Sequence, residues 1–397
     1  MKLLYYRWNA LTRTDIDTVL TKMGIDFDVI STENNYRDLI NEQMHEDFRK
    51  AFEKCKYDAV FSINFYHNIA YVCHEYDIPY IAWSYDSPIN IGAPEAFRYD
   101  TSHVFLFDRE DVEELRDEYD KKEIYHLPLA VDTDRYDSIL PTNAERRKYK
   151  AQVSFVGQLY SNNAEDAINC LPDYEKGYLN AIKDSQLQVY GTDVMAKTFY
   201  QDLLKAVSIP EFLDLFKKAV FKEFESVIET VPPMSLWSQM LRDVTHRERL
   251  LLLQLMGRHF DTAVYSDDMD HKLQGVRMMG PVNYWVECPK VFKCTDINLN
   301  ISLRSIRTGI PQRCLDIMGC RSFLLCNYQA ELAEWFENGK DCAIYSSIEE
   351  AVDLAQYYST HEVDRKRIVN NGYQKVKNEF TYEKRLRTIF ETLGLKL

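Results

Sequence analysis

The sequence predicts an α/β protein of two Rossmann-type domains, with a helical insertion in the second. Three observations predict it. Short apolar strands alternate with amphipathic helices through the first 130 or so residues. A polar stretch without apolar periodicity, DTDRYDSILPTNAERRKYK, interrupts them at 132–150. A new unit of strand, Gly and loop then restarts the alternation at Val153-Ser154-Phe155-Val156-Gly157. At 397 residues the chain is long enough for each half to bury its own core.

In the first half, strands are expected at residues 2–6, 26–30, 59–63, 80–83, 104–107 and 125–129. Helices fall between them at 14–23, 36–54, 69–75 and 110–119, the first stopping at Gly24. Apolar strands with helical crossovers mean a parallel sheet, whose ligands meet the loops after the strands' C-terminal ends. Those loops read Arg7-Trp8-Asn9, Asn64-Phe65-Tyr66-His67, Ser84-Tyr85-Asp86-Ser87-Pro88 and Asp108. Asp86 and His67 are the candidate proton acceptors among them, although Asp86 also suits an Asx-type turn before Pro88. Asp108, just before Arg109-Glu110-Asp111, suits a helix N-cap.

In the second half, residues from about 195 to 252 are dominated by helical signals, and Pro232-Pro233 divides them. Packing is the expected role of this block. The α/β rhythm resumes with strands at 262–265, 276–280, 296–301, 322–326 and 342–345, followed by helices at 347–358 and 363–377 and a last one to the C-terminus. The expected division is 1–135 for the first domain, 136–150 for a linker and 151–378 for the second domain. A C-terminal helix at 379–397 is expected to pack back towards the first domain.

Most chemistry-bearing residues concentrate in INLNISLRSIRTGIPQRCLDIMGCRSFLLCNY, residues 297–328. Gly309-Ile310-Pro311 should open a helix, because Pro suits the first turn and Gly the bend before it. A helix start flanked by Arg304, Arg307 and Arg313 suits a phosphate-bearing ligand, through backbone N–H groups and guanidinium forks. Asp316, in the same helix, is an acid suited to sugar hydroxyls. Gly157, ending a buried strand, permits close approach of the backbone to a diphosphate. Asn298 and Asn300 share one face of their strand and serve equally as ligands or as internal hydrogen-bonding residues.

The net charge of −14 opposes nucleic acid or an anionic membrane as the main partner. No apolar run approaches the ~18 residues of a membrane span, and MKLLYYRWNAL reads as a first strand rather than a signal peptide. The nine cysteines show no C-x-x-C and no zinc spacing, which points to reduced thiols in a cytoplasmic protein without a structural metal.

The stretch GPVNYWVECPKVFKCTDINLNISLRSIRTGIPQRCLDIMGCRSFLLCNYQAELAEWFENGKDCAIYSSIEEAV resembles the donor-binding half of the bacterial CgeB-type (spore-maturation-like) glycosyltransferases. IAWSYDSP, FLFDRE and YHLPLAVD are similar to the N-terminal domain often paired with it, so the resemblance covers most of the chain. It implies a GT-B-like fold, two Rossmann-type domains facing across a cleft, and transfer from an NDP-sugar, most readily a UDP-sugar. No tightly bound cofactor or metal is implied; the acceptor is a glycan, small molecule or protein.

By the same resemblance Asp316 falls where related enzymes bind the donor ribose. Arg304, Arg307 and Arg313 hold the diphosphate, with backbone N–H groups at Gly157 and Gly309. Gly280–Tyr284 lies where the nucleobase rests, with Tyr284 as a stacking face. An inverting enzyme would use Asp86, or else His67, as its base. Two departures stand out: Thr308 occupies the position of a glutamate common in retaining relatives, and Cys320-Arg321-Ser322 replaces Gly-Gly. The competing readings are a nucleotide-sugar epimerase on the same architecture and a non-catalytic protein of spore or surface assembly.

Overall fold

The computed structural model describes residues 1–31, 41–161, 164–195, 208–221, 233–269 and 272–396. The expected helix start at 36, the helical signals at 199–207 and 222–230, and Pro232 lie outside these. The chain forms two compact units: Met1–Ser138 with Gly309–Gly319 and Gln374–Leu397, and Ile139–Thr308 with Cys320–Tyr373.

The first unit is built on a parallel sheet of six strands in the order β2-β1-β3-β4-β5-β6. These are β1 (Lys2–Tyr6), β2 (Asp26–Ile30), β3 (Ala59–Ile63), β4 (Tyr80–Trp83), β5 (Ser102–Leu106) and β6 (Ile124–His126). Every residue of β3 and β4 is buried, as interior strands of a helix-covered parallel sheet require. Helix α1 (Arg13–Lys22) turns Ile16, Val19 and Leu20 inward, and Gly24, at φ +70°, ends it. The remaining helices before the chain leaves this unit are α2 (Glu42–Lys54), α3 (His67–Glu75), α4 (Pro94–Phe97), α5 (Arg109–Tyr119) and α6 (Thr133–Ser138).

The second unit has its own six-stranded parallel sheet, ordered β12-β11-β10-β7-β8-β9. Its strands are β7 (Ala151–Val156), β8 (Thr262–Tyr265), β9 (Val276–Met278), β10 (Thr295–Asn300), β11 (Leu324–Asn327) and β12 (Ala343–Tyr345). This is the dinucleotide-fold order, and it reverses between β7 and β10. Ligands of such sheets bind beyond the strand ends at that reversal. Its helices are α7 (Asn143–Tyr149), α8 (Ala164–Asn169), α9 (Asp173–Gln188), α10 (Pro210–Phe221), α11 (Pro233–His259) and α12 (Cys288–Cys294). Helix α13 (Gln312–Gly319) belongs to the first unit. Then come α14 (Ala330–Trp335), α15 (Ile348–Thr360), α16 (Glu362–Glu379) and, in the first unit, α17 (Tyr382–Thr392).

Three features depart from the sequence reading. The polar stretch 132–150 contains α6 and α7, and Thr142 and Glu145 form a capping box at the start of α7. Helix α9 escaped the apolar pattern because two of its three buried residues, Lys183 and Gln186, are polar. Lys183 donates to Asp243 at 2.7 Å, an ion pair buried under the helical cluster of Phe212, Phe216, Trp237 and Met240. Third, α12 and α14 arise where only strands and loops were expected. No helix among the described residues is long and apolar enough to cross a membrane.

The turn entering β9 approaches α11 closely. Gly275 has φ +77°, and a Cβ there would lie 2.2 Å from the carbonyl oxygen of Gly257. Both the conformation and the space demand Gly. Gly275→Ala is therefore expected to lower the unfolding free energy by about 2 kcal/mol or more, measured by urea denaturation.

Candidate functional site

At the reversal of the second sheet, one side chain of α11 occupies the space beyond β7 and β10. The Arg249 guanidinium, 6% exposed, donates from Nη1 to the carbonyl of Gln158 and from Nη2 and Nε to that of Ile301, the last at 3.2 Å. It also lies 5.0 Å from the Phe155 ring centre and 4.7 Å from that of Tyr160. Burial pushes its pKa below the usual arginine value. One turn earlier, His246 Nδ1 donates to the carbonyl of Leu159 at 2.8 Å, and Arg242 stands 5.8 Å over Tyr160. Residues 242, 246 and 249 share one face of a helix. Three basic groups thus surround the loop Gly157–Ser161, whose Tyr160 is held at φ +59°, a conformation L-residues rarely adopt. A glycine-headed loop at the strand-order reversal, bounded by cations, is suited to an anion.

Of the residues singled out in the sequence, Gly157, Gly280, Tyr284, Asn300, Arg304 and Arg307 all follow or end strands at this C-terminal edge. Gly157 donates its N–H to Tyr265 at 3.0 Å. Gly280, at φ +73°, has open space where a Cβ would stand, and Tyr284 is half-buried beside Trp285. Asn300 points inward: its amide donates to Ser302 Oγ at 3.1 Å and Cys326 Sγ at 3.3 Å. Asn298 is likewise internal, accepting from Ser154 Oγ at 2.9 Å.

Arg304 is committed elsewhere. Its Nε donates to Glu248 at 2.8 Å and its Nη1 to the Val189 carbonyl at 2.7 Å, with the plane 4.0 Å from the Tyr190 ring centre. The side chains of this ion pair are 5% and 0% exposed. Arg304 therefore fastens α11 to the loop after β10 instead of offering a guanidinium to a ligand. Arg307 is half-buried beside a recess of ≈ 20 Å³, room for about one water. The Thr308 hydroxyl donates to Glu331, a wholly buried carboxylate, at 2.9 Å. The Arg321 substitution lies away from this edge, in the turn before β11, where Arg321 itself takes φ +55°.

The first unit holds the other candidates. Gly309 donates its N–H to Asp108 Oδ2 at 3.2 Å, while Asp108 Oδ1 caps α5 through Glu110 N at 3.1 Å. A Cβ on Gly309 would meet Phe107 at 2.7 Å. Asp316, 1% exposed, accepts from Tyr136 OH at 2.8 Å, Gln312 Nε2 at 2.9 Å and Arg313 Nη1 at 3.3 Å. It is an internal acceptor here, and Arg313 is half-buried against it. Nearby, Arg135 grips Asp15 with two bonds of 2.7 and 3.0 Å; burial pushes the Asp15 carboxyl up to about 6 against the pull of Arg135.

Asp86 is exposed after β4, and its Oδ2 accepts from Asn64 Nδ2 at 3.0 Å. Asn64 itself sits at φ +66°, so its backbone is bent to aim that amide. His67, in contrast, is 5% exposed and lies beneath Gly92, where even a methyl group would approach its Nδ1 to 2.4 Å. The sequence ranks Asp86 ahead of His67, and burial separates them further. The basic face of α11 was missed because its apolar periodicity read as packing. The spacing Arg242, His246, Arg249 was the available signal.

The glycosyl transferase-like family matches residues 239–391, from the early turns of α11 almost to the end of α17. A glycosyltransferase from Rickettsia africae ESF-5 superposes with a TM-score of 0.55 at 10% identity, over 98% of this chain and 97% of that one. Anabaena Alr3699/HepE in complex with UDP-glucose gives 0.52 at 12% identity, over 99% of each chain. An alpha-glucosyltransferase in complex with UDP-glucose and DNA containing an abasic site gives 0.54 at 9%, again over 99% of each. A search of curated protein sequences finds no match. The two six-stranded parallel sheets have the GT-B fold of these structures.

Because Arg304 and Glu248 neutralise each other away from water, removing one strands the other. Glu248→Ala is expected to cost about 3–5 kcal/mol of stability, read from chemical denaturation. Replacing both residues with apolar ones should recover most of it.

Proposed function

We propose that this enzyme moves a sugar from a UDP-sugar to a hydroxyl acceptor, and that it does so without a bound metal. The observation that carries the reading is the loop Gly157–Ser161 at the strand-order reversal, held through its carbonyls by Arg249 and His246 of α11, with the exposed Arg242 beside it. Departure of a nucleoside diphosphate leaves negative charge that must be met as the glycosidic bond breaks. Fixed cations and backbone N–H groups around Gly157–Ser161 supply that charge without reorganising. The open space at Gly280 and the half-buried Tyr284 suit a flat base at the same edge. Uridine is favoured because two proteins of this fold, Anabaena Alr3699/HepE and the alpha-glucosyltransferase, carry UDP-glucose.

In the first unit, the exposed Asp86 takes the proton of the acceptor hydroxyl, with Asn64 fixing its orientation. His67 has no such access. Acidity of the chain as a whole favours a soluble glycan, small molecule or protein as acceptor. No disulfide joins the described cysteines, which fits work in a reducing compartment. The CgeB-type pattern of residues 297–328 makes that subfamily part of the same proposal.

Thermal-shift titration with UDP and UDP-glucose tests donor binding, because a ligand of the folded state raises the midpoint by mass action. Arg249→Met, which releases the carbonyls that shape the loop, should weaken UDP by about tenfold. Arg242→Ser, at an exposed position, should weaken UDP several-fold with an unchanged midpoint in the absence of ligand. A protein that no nucleoside diphosphate stabilises would sink the reading, as would an epimerised sugar formed without acceptor.

A further inference from the structure

We propose that the first unit binds a small monovalent anion, of halide size, between the end of β4 and the first turns of α17. The site is defined by donors to which the protein offers no acceptor. Trp83, the last residue of β4, is wholly buried, and its indole N–H has no hydrogen-bond partner among the described residues. Arg385 of α17 is 8% exposed, and its Nη2 has none there either. An indole N–H and a guanidinium can only donate. Buried donors of this kind cost stability until an acceptor reaches them.

The two donors belong to one neighbourhood. The Trp83 ring packs edge-on against Tyr382, one turn before Arg385 on α17, with ring centres 6.1 Å apart. The Tyr85 ring centre lies 5.2 Å from that of Trp83. The Tyr85 hydroxyl is buried, makes no hydrogen bond of ordinary geometry, and stands close enough to Arg385 to act on its charge. Burial raises the Tyr85 phenol well above its usual value, so it keeps its proton and serves as a third donor.

Charge decides the ligand. Among the described residues three arginines are buried, Arg249, Arg304 and Arg385. Arg249 is held by two carbonyls, and Arg304 by Glu248 and the Val189 carbonyl. The contacts of Arg385 are weaker: Nε donates to the Leu129 carbonyl at 3.4 Å, and the Phe380 ring centre is 4.9 Å away. Burial lowers its pKa to about 10, which still leaves it charged at neutral pH. The acids of this edge are engaged by other groups: Asp15 by Arg135 at 2.7 Å, Asp316 by Arg313 at 3.3 Å, and Glu379 by Lys384 at 3.0 Å. One guanidinium without a carboxylate calls for one negative charge. Walls of aromatic ring favour an anion that sheds its water readily, a halide over a phosphate dianion. Bound there, the anion joins the last helix to the sheet of the first unit.

Thermal unfolding of the full chain, with gluconate replaced stepwise by chloride at constant ionic strength, tests this. The wild-type midpoint should rise by mass action with each tenfold step in chloride above the dissociation constant. Arg385→Met should abolish the rise. Trp83→Phe, which removes the donor and keeps an aromatic ring, should need at least about tenfold more chloride for the same rise. Should Arg385→Met fail to fold, Trp83→Phe carries the test. Bromide-soaked crystals locate the ion: an anomalous peak within hydrogen-bonding distance of Arg385 Nη2 and Trp83 Nε1 supports the site. Water alone at that position, a wild-type midpoint indifferent to chloride, or equal chloride dependence in wild type and Trp83→Phe would each overturn the proposal.

Discussion

A single buried guanidinium organises the C-terminal edge of the second sheet. Arg249 reaches across the gap where strand order reverses and bonds the carbonyl beyond β7 and the carbonyl beyond β10. Neither carbonyl has a ladder partner at that point, so the arginine satisfies backbone groups that the topology itself leaves open. In return those dipoles and two aromatic faces solvate a charge held away from water. Neighbouring residues of the same helix extend the arrangement: Thr245 accepts the Arg304 N–H at 3.0 Å, and Glu248 takes its side chain. Helix α11 thus determines the shape of the loops on both sides of the reversal.

Burying two ion pairs along one helix, Arg304–Glu248 and Lys183–Asp243, adds little net stability, since desolvation offsets attraction. What such pairs supply is register. A one-residue slip of α11 would leave four charges without partners, whereas an all-apolar contact would tolerate it. That constraint bears on function, because the same register sets Arg242, His246 and Arg249 against the Gly157 loop.

Strand positions were legible in the sequence because continuous apolar runs have few other uses, and the Thr262–Tyr265 strand is an example. The destination of a charged side chain was not. Arg304, Arg307 and Arg313 look alike as letters, yet Arg304 meets an acid 56 positions earlier and Arg313 one three positions later. Asn298 and Asn300 both face inward, where alternation alone placed them on one face without saying which. Burial also separated Asp86 from His67, through a glycine 25 positions from the histidine that no local pattern connects to it. Asp108 combined two roles of which one was visible: its helix cap follows from sequence, and its bond to Gly309 requires the fold.

The division of the chain has a consequence for how it can be handled. The first unit is assembled from three separate stretches, and the polypeptide passes between units at 138–139, 308–309, 319–320 and 373–374. Tyr382, Leu386, Ile389 and Phe390 of the last helix belong to the interior of the unit that the first residue begins. Neither half is therefore a contiguous cassette. A fragment ending near residue 138 would lack two of the helices that complete it, so halves exchanged between proteins would have to be spliced at four junctions.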